Sequence, residues 1–415
     1  MERSQWSLDY LCSCQFLGAG YNLLKPEQLR KIAQQWEQQQ HAQEPLWQDR
    51  IRQKLKQRKI RVGYLSADWR YHPVSRFMLP LLKAHNREQI EIYGLNATPT
   101  SDIITQEVQQ SCDHWVELPR HNNHVAARVI AEQRIDIIVE LGGFTSGCVL
   151  APLLYRPAPI QLSYLGYFTS TGISCINGWI GDTILFKEQE PEDLALPGGA
   201  MAMDFDTFPD LKERVNGKFK FGCFNNSRKL TRKTLEIFAE ILASCPEAEL
   251  LLQSPTFQEK KEQERIYKLC ETSGIDCVRV KIHGWNDSHI KHLEMYGMVD
   301  VGLDPTPYSG ATSTIDALGM GVPIVTLQGE TSAGCLSASI LVHAGLRDWI
   351  TNNKAAYVTR AVRAYREGPR FIAERQRLRD KIKKSDLGSP KRLARELEDV
   401  FEQQLQGLEQ EEERC

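Results

Sequence analysis

Short apolar runs separated by helix-patterned segments recur along most of this chain, and that alternation leaves it few folds. Ile135–Leu141 (IDIIVEL) is strongly apolar and runs into GGFTSG. Ile60–Leu65, Ile90–Leu95 and His114–Leu118 precede it, with helices expected through Leu82, near 102–111 and near 123–134. Ile160–Leu165 and Trp179–Ile180 close the series. A second series starts at Phe219: strand FKFGCF, helix 231–243, strand ELLLQS, helix 257–273, strand VRVKIHG, helix 287–296. Apolar strands joined by helices predict parallel sheets covered on both faces. Two series predict two doubly wound α/β domains with a ligand cleft between them, and chemistry in the loops that follow strands.

The length of 415 residues fits two or three domains. The expected layout is a helical segment at 1–56, a Rossmann-like lobe at 57–190, and a Pro/Gly-containing connection at 191–218. A second Rossmann-like, nucleotide-binding lobe follows at 219–370, then C-terminal helices at 371–415. Within the first segment Leu8, Tyr10, Leu11, Phe16 and Leu17 form an apolar patch. Pro26-Glu27 opens a helix carrying Leu29, Ile32, Ala33 and Trp36 at spacings of three and four. The tracts EQQQHAQE and RIRQKLKQRK read as solvated linker.

Val299–Thr326 (VDVGLDPTPYSGATSTIDALGMGVPIVT) carries the strongest local signal. An apolar run to Leu303, bounded by Asp304 and Pro305, reads as a buried strand. The loop PTPYSGA then leads through Thr312, Ser313 and Thr314 into a short helix ending at Gly319–Gly321, and Pro323–Leu327 is the next strand. Free N–H groups and the helix dipole at such a start make an anion site. The simpler reading, that these hydroxyls merely cap the helix, uses only one of the three. No Gly-Lys-Ser/Thr phosphate loop occurs, which disfavours an ordinary P-loop nucleotidase.

Four further post-strand loops hold candidates. SADWRYHP brings Asp68 and His72; GGFTSG brings two glycines and Thr145; YLGYFTSTG brings Gly166; FNNSRKL brings Asn225, Asn226 and Lys229. A lone Lys after a strand is commonly a surface charge, and a lone His a satisfied structural group. Lys229 shares its half with the Thr312 loop, however, and a cation facing a helix N-terminus suits a diphosphate leaving group. Two phosphates can be offset this way without metal. The D-x-D at Asp204–Asp206 falls outside the core strands, and the pairs His121/His124 and His289/His292 have no further Cys or His completing a zinc set.

Fifty-one basic against fifty-three acidic residues leave a net charge of −2, so nucleic acid is not an expected partner. Eleven scattered cysteines without C-x-x-C fit a reduced, cytoplasmic setting. No apolar window of membrane-spanning length and no signal-peptide core is present, so neither a span nor a leader is expected.

YLSADWRYHPVSRF, RPAPIQLSYLGYFTSTG, CFNNSRK, HGWNDSHIKH and LDPTPYSGATSTIDALGMGVPIVTLQGET, in this order, resemble the catalytic region of O-linked N-acetylglucosamine transferases, their bacterial relatives and the plant SPINDLY proteins. The resemblance covers roughly residues 57 to 400. It implies a GT-B fold in which a sugar nucleotide binds between two Rossmann-like lobes. The sugar would pass to a protein hydroxyl with inversion, without metal and without a cofactor beyond the donor. Carried over by position, Lys229 matches the diphosphate-neutralising lysine and Asn226 an amide on the same group. His289 matches a histidine packed on the base, Asp316 a carboxylate on the ribose, Thr312 and Ser313 the phosphate-binding hydroxyls, and Gly166 a glycine against the sugar. Asp68 and His72 match an Asp and a His near the reaction centre, as base or orienter. The last helices would cross back toward the first lobe.

The chain also departs from that pattern. Ala311 stands where the animal enzymes have a histidine, and Tyr308 where they have a small residue lining the acetamido pocket; SPINDLY-like sequences, which resemble GDP-fucose users, also have Pro-Tyr there. A second family histidine has no match before Lys59, and the acceptor-gripping tetratricopeptide array is absent from this sequence; residues 1–56 look like the helices that follow one, so the sequence either is a fragment or recognises its acceptor another way. The expected function is transfer of N-acetylglucosamine from UDP-GlcNAc to a protein Ser or Thr. The alternatives are a silent nucleotide-sugar sensor or interaction module, a family member using GDP-fucose or UDP-glucose, and an epimerase of similar lobes.

Overall fold

The computed structural model describes residues 7–40, 45–47, 58–186, 190, 192–213, 217–284 and 288–414, the last four of these without side chains. Residues 41–44 and 50–57 of the two linker tracts, and Trp285–Asp287 of the HGWNDSHIKH motif, lie outside the described residues. The chain divides into two units, Met1–Ala202 with Pro390–Cys415, and Met203–Ser389.

The first unit begins with α1 (Leu8–Gly20) and α2 (Pro26–Gln39). Pro26 occupies the first helical position, where its missing N–H costs nothing, and the Gln28 side chain accepts the Lys25 N–H. Trp36 packs edge-on against Phe144, ring centres 5.5 Å apart, so these helices belong to the core of the first unit. Of the apolar patch expected on α1, Leu11 is buried, whereas Tyr10 and Leu17 are exposed. The sheet follows: β1 (Ile60–Ser66), α3 (Pro73–Ala84), β2 (Ile90–Asn96), α4 (Ile103–Gln110), β3 (His114–Glu117), α5 (Asn123–Glu132), β4 (Ile137–Glu140), β5 (Ile160–Tyr164), β6 (Gly178–Gly181) and β7 (Asp193–Ala195). Its order is β3-β2-β1-β4-β5-β6-β7, all parallel. β4 is buried at every position, as expected for a strand covered on both faces.

β7 lies inside the stretch expected as a connection. Trp179, Ile180 and Gly181 pair with Asp193, Leu194 and Ala195, so the chain stays with the first sheet for one more strand. Three half-buried residues on an edge carry no apolar run for sequence reading to find.

The second unit contains β8 (Lys220–Cys223), α6 (Arg232–Ser244), β9 (Glu249–Gln253), α7 (Lys260–Thr272), β10 (Val280–His283), α8 (His289–Glu294) and β11 (Val301–Leu303). It continues through α9 (Thr312–Gly319), β12 (Ile324–Leu327), α10 (Ser332–His343), β13 (Ile350–Thr351), α11 (Lys354–Glu367) and α12 (Ile372–Lys383). Its sheet runs β10-β9-β8-β11-β12-β13, again all parallel. The last helix is α13 (Pro390–Arg414).

The two helices at the C-terminal end serve different units. α12 is held in the second by Arg375, a buried side chain that donates to the Tyr296 carbonyl at 3.0 Å and the Val299 carbonyl at 2.6 Å. Arg379 does the same to Phe205, Phe208 and Pro209. Charged hydrogen bonds of this kind are worth about 1.5–3 kcal/mol each, against the cost of burying the guanidinium. α13 returns to the first unit, burying Leu393, Leu397, Phe401 and Leu405 at every fourth position. Among the described residues no helix is long and apolar enough to cross a membrane.

Candidate functional site

In each sheet the strand order reverses at one place, between β1 and β4 in the first unit and between β8 and β11 in the second. Crevices open at the carboxyl ends of strands at such points.

In the second unit Asn225, Asn226 and Lys229 follow β8, while the loop 304–311 follows β11 and opens α9. Two bonds tie the loops together. Lys229 Nζ donates to the Ser309 carbonyl at 2.6 Å, and Ser313 Oγ donates to Asn225 Oδ1 at 3.0 Å. Lys229 is half-buried, and burial pushes its ammonium down to about 8 while Asp304 opposes the fall. It therefore remains mostly charged at neutral pH. Asn226 caps the turn Ser227–Lys229 through Oδ1, which accepts the Arg228 N–H at 3.1 Å.

Ala311 holds the cap position of α9, with no side-chain cap. Thr312 and Ser313 are half-buried at the first turn, and Thr314 turns inward to bond Ser337 Oγ at 2.7 Å. The simple capping reading of these hydroxyls therefore fails; the Thr314 N–H bonds the Ala311 carbonyl at 3.1 Å, and the Thr312 and Ser313 N–H groups are left to an external acceptor.

Asp304 fixes the loop from beneath. Its Oδ1 accepts the Gly310 N–H and its Oδ2 the Thr326 hydroxyl, both at 2.7 Å. Gly310 is required here, because a Cβ would come 2.7 Å from Ser313 Oγ and 2.8 Å from Asp304 Oδ1. Burial raises the Asp304 carboxyl, and its hydrogen bonds and Lys229 oppose that rise. In sequence, Asp304 marked only the end of a strand.

His289 and Asp316 meet through His292. The rings of His289 and His292 stack with centres 5.8 Å apart, and His292 Nε2 is 3.6 Å from Asp316 Oδ2. Asp316 is 3% exposed, on the inner side of α9.

In the first unit Asp68 and His72 come together after β1. Asp68 Oδ1 accepts from Arg70 at 3.1 Å, and Oδ2 is 3.6 Å from His72 Nδ1, too long for a hydrogen bond. His72 caps α3, its Nδ1 accepting the Val74 N–H at 3.3 Å. That role places the proton of the neutral ring on Nε2. Burial lowers the imidazole below its usual value, and Asp68 opposes this.

Glu140, at the end of β4, escaped sequence reading because it sits within an apolar run. It is fully buried and accepts the Gly142 and Gly143 N–H groups at 2.7 and 2.8 Å. Burial pushes its carboxyl up to about 7. The available signal was a single acid inside a strand otherwise buried on both faces. Gly166 packs on the Leu141 carbonyl, which a Cβ would meet at 1.9 Å, so the fold alone requires glycine there.

Two parallel doubly wound units, with their polar groups at the reversals of strand order, define the GT-B class. The model of glycosyl transferase family 41 matches residues 32–195 and 214–397, and the chain belongs to that family. A probable UDP-N-acetylglucosamine–peptide N-acetylglucosaminyltransferase SPINDLY of Solanum lycopersicum is 28% identical over 363 residues, 84% of this chain and 39% of that protein. The similarly described SEC protein of Arabidopsis thaliana is 27% identical over 78% of this chain and 34% of its own length. Among solved structures, a variant of the O-GlcNAc transferase of Thermobaculum terrenum superposes with a TM-score of 0.83 at 26% identity, covering 95% of this chain and 76% of that one. The chain thus spans well under half the length of these plant relatives.

Proposed function

We propose that this chain is an inverting glycosyltransferase that moves N-acetylglucosamine from UDP-GlcNAc to a Ser or Thr hydroxyl of a protein, without a metal ion and in the cytoplasm. The observation that carries the reading is Lys229. A half-buried ammonium is held at the Ser309 carbonyl, in the loop that leads into the uncapped start of α9. A cation and oriented N–H groups are what a departing diphosphate needs. The acceptor oxygen bonds to the anomeric carbon as the bond from that carbon to the phosphate oxygen breaks. UDP leaves with the electron pair, against Lys229, Thr312 and Ser313.

Asn226 supports the same phosphates, His289 stacks on the base, and Asp316, held near His292, addresses the ribose. The acceptor proton goes to Asp68, since His72 has Nδ1 committed to its helix and offers an N–H at Nε2. Gly166, packed on the Leu141 carbonyl, is on this reading the glycine against the sugar. The relatives' descriptions name both UDP-N-acetylglucosamine and a peptide, which supports this choice of donor and acceptor.

A thermal-shift panel of UDP-GlcNAc, UDP-glucose and GDP-fucose, followed by mass spectrometry of Ser/Thr peptides incubated with each donor, tests it. The expected outcome is stabilisation by UDP-GlcNAc and a gain of one N-acetylhexosamine. Stabilisation without any transfer or hydrolysis would identify a sensor instead.

A further inference from the structure

One face of the Tyr308 ring is occupied by a cation: Lys229 Nζ lies 3.7 Å from the ring centre while donating to the carbonyl of the adjacent Ser309. We infer that Tyr308 is a positioning residue for Lys229, its ring and the Ser309 carbonyl together forming a seat that holds the ammonium at the loop opening α9. The inference rests on Lys229 acting as the diphosphate cation, and it adds the group that aims it.

The need for a seat follows from the lysine itself. Its four-carbon stem is flexible and its ammonium is a point charge, so direction must come from outside. The charged and titratable groups around it do not provide that direction. Asp304 favours the charge, but its two oxygens are engaged by Gly310 and Thr326. Cys223, on β8, is pushed up to about 12 by burial and is a neutral thiol at working pH. Arg228, on the same turn, repels. The negative face of an aromatic ring attracts a cation without a formal charge of its own, so it stabilises the ammonium without competing for it as a carboxylate would. The seat is also held firmly, with Ser309 Oγ donating to the Ala333 carbonyl at 2.8 Å.

The test measures the titration of Lys229 directly, by competitive labelling of the full chain with trace acetic anhydride between roughly pH 6 and 11, a range that spans ordinary lysines. Mass spectrometry of the Lys229 peptide gives the midpoint, and Lys220 serves as an internal reference for intact folding. Tyr308→Leu keeps apolar bulk but lacks the ring face, and its Lys229 midpoint should fall by about half a pH unit or more. Tyr308→Phe keeps the face and should keep the wild-type midpoint. An unchanged midpoint in the Leu variant, or an equal fall in both, overturns the seat. UDP should protect wild-type Lys229 from labelling. Absence of protection with the Tyr308 effect intact would retire the diphosphate reading and leave the seat standing.

Discussion

Nδ1 of His85 lies 2.7 Å from Oε1 of Glu398, although the two residues are 313 positions apart in the chain. The same carboxylate oxygen accepts the Asn86 N–H at 2.9 Å, and Tyr64 OH is 2.7 Å from His85 Nε2. This buried relay ties α13 to the end of α3. Glu398→Ala strands a buried N–H, which should cost about 1–3 kcal/mol and lower the thermal midpoint. Burial lowers the imidazole of His85, with Glu398 opposing; burial also works to raise Glu398, but the His85 bond and Asn86 hold it below its usual value. Both groups bind fewer protons when folded. Their contribution is present above the ordinary values and declines on acidification, first below about 6.5 and then below about 4.5. Between pH 7.5 and 5 the thermal midpoint should fall more in Glu398→Gln than in the wild type, because the imidazole loses the carboxylate that opposes its burial; superimposable pH profiles would remove Glu398 from the account.

Glu140 has the opposite sign. Its folded value is raised by burial to about 7, so the folded chain holds a proton that the unfolded chain releases near 4.5. Its contribution is full below the unfolded value and is lost as pH rises toward 7, over a span of no more than about 3 kcal/mol. Glu140→Gln leaves one glycine N–H without an acceptor and should be the weaker protein at pH 5, the gap narrowing by pH 7.5. Urea denaturation at the two pH values measures this, and a constant gap would mean that Glu140 does not titrate there.

Lys229→Ala should leave folding intact and reduce turnover by about a hundredfold or more, the order lost with one charge-stabilising donor. Donor affinity should weaken as well. Turnover at the wild-type rate would end the assignment of this lysine.

If Lys229 and the start of α9 hold the diphosphate as proposed, transfer should continue in excess EDTA. Asp206 pairs with Lys383 and Asp204 caps the short turn that follows it. If Mg²⁺ or Mn²⁺ restores activity lost to chelation, that acidic pair needs another role.

Whichever donor the native chain prefers, Tyr308→Ala should move the preference toward N-acetylated sugars. Forcing an acetamido group into filled space costs roughly 1–3 kcal/mol, enough for a ten- to hundredfold preference. The ratio of kcat/KM for UDP-GlcNAc, UDP-glucose and GDP-fucose decides the point. A uniform loss at an unchanged ratio retires the pocket while remaining compatible with the ring as the seat of Lys229.

The parallel sheets were legible because their strands are apolar end to end, and Val62, Ile138 and Leu252 announce themselves in any reading. β7 was not, since Asp193–Ala195 is stabilised by pairing along an edge rather than by burial. The candidate phosphate loop was visible through its hydroxyls and glycine, but the groups that shape it were not. Asp304 looks like a strand terminator, and Ser309 acts through its carbonyl, which no side-chain pattern encodes. His72 looked like a candidate base; only the geometry of α3 shows its Nδ1 spent on Val74.

The first unit is assembled from both ends of the chain, 1–202 and 390–415, with the second unit as a long excursion between them. A protease that nicked the chain at the 202–203 junction would therefore not release two finished domains. The downstream piece would still carry α13, whose Leu393, Leu397, Phe401 and Leu405 complete the core of the upstream one. The halves would behave as a split protein, joined by complementation rather than by peptide bond. Trimming the last 26 residues would, by the same logic, wound the amino-terminal unit rather than the one it was cut from in sequence.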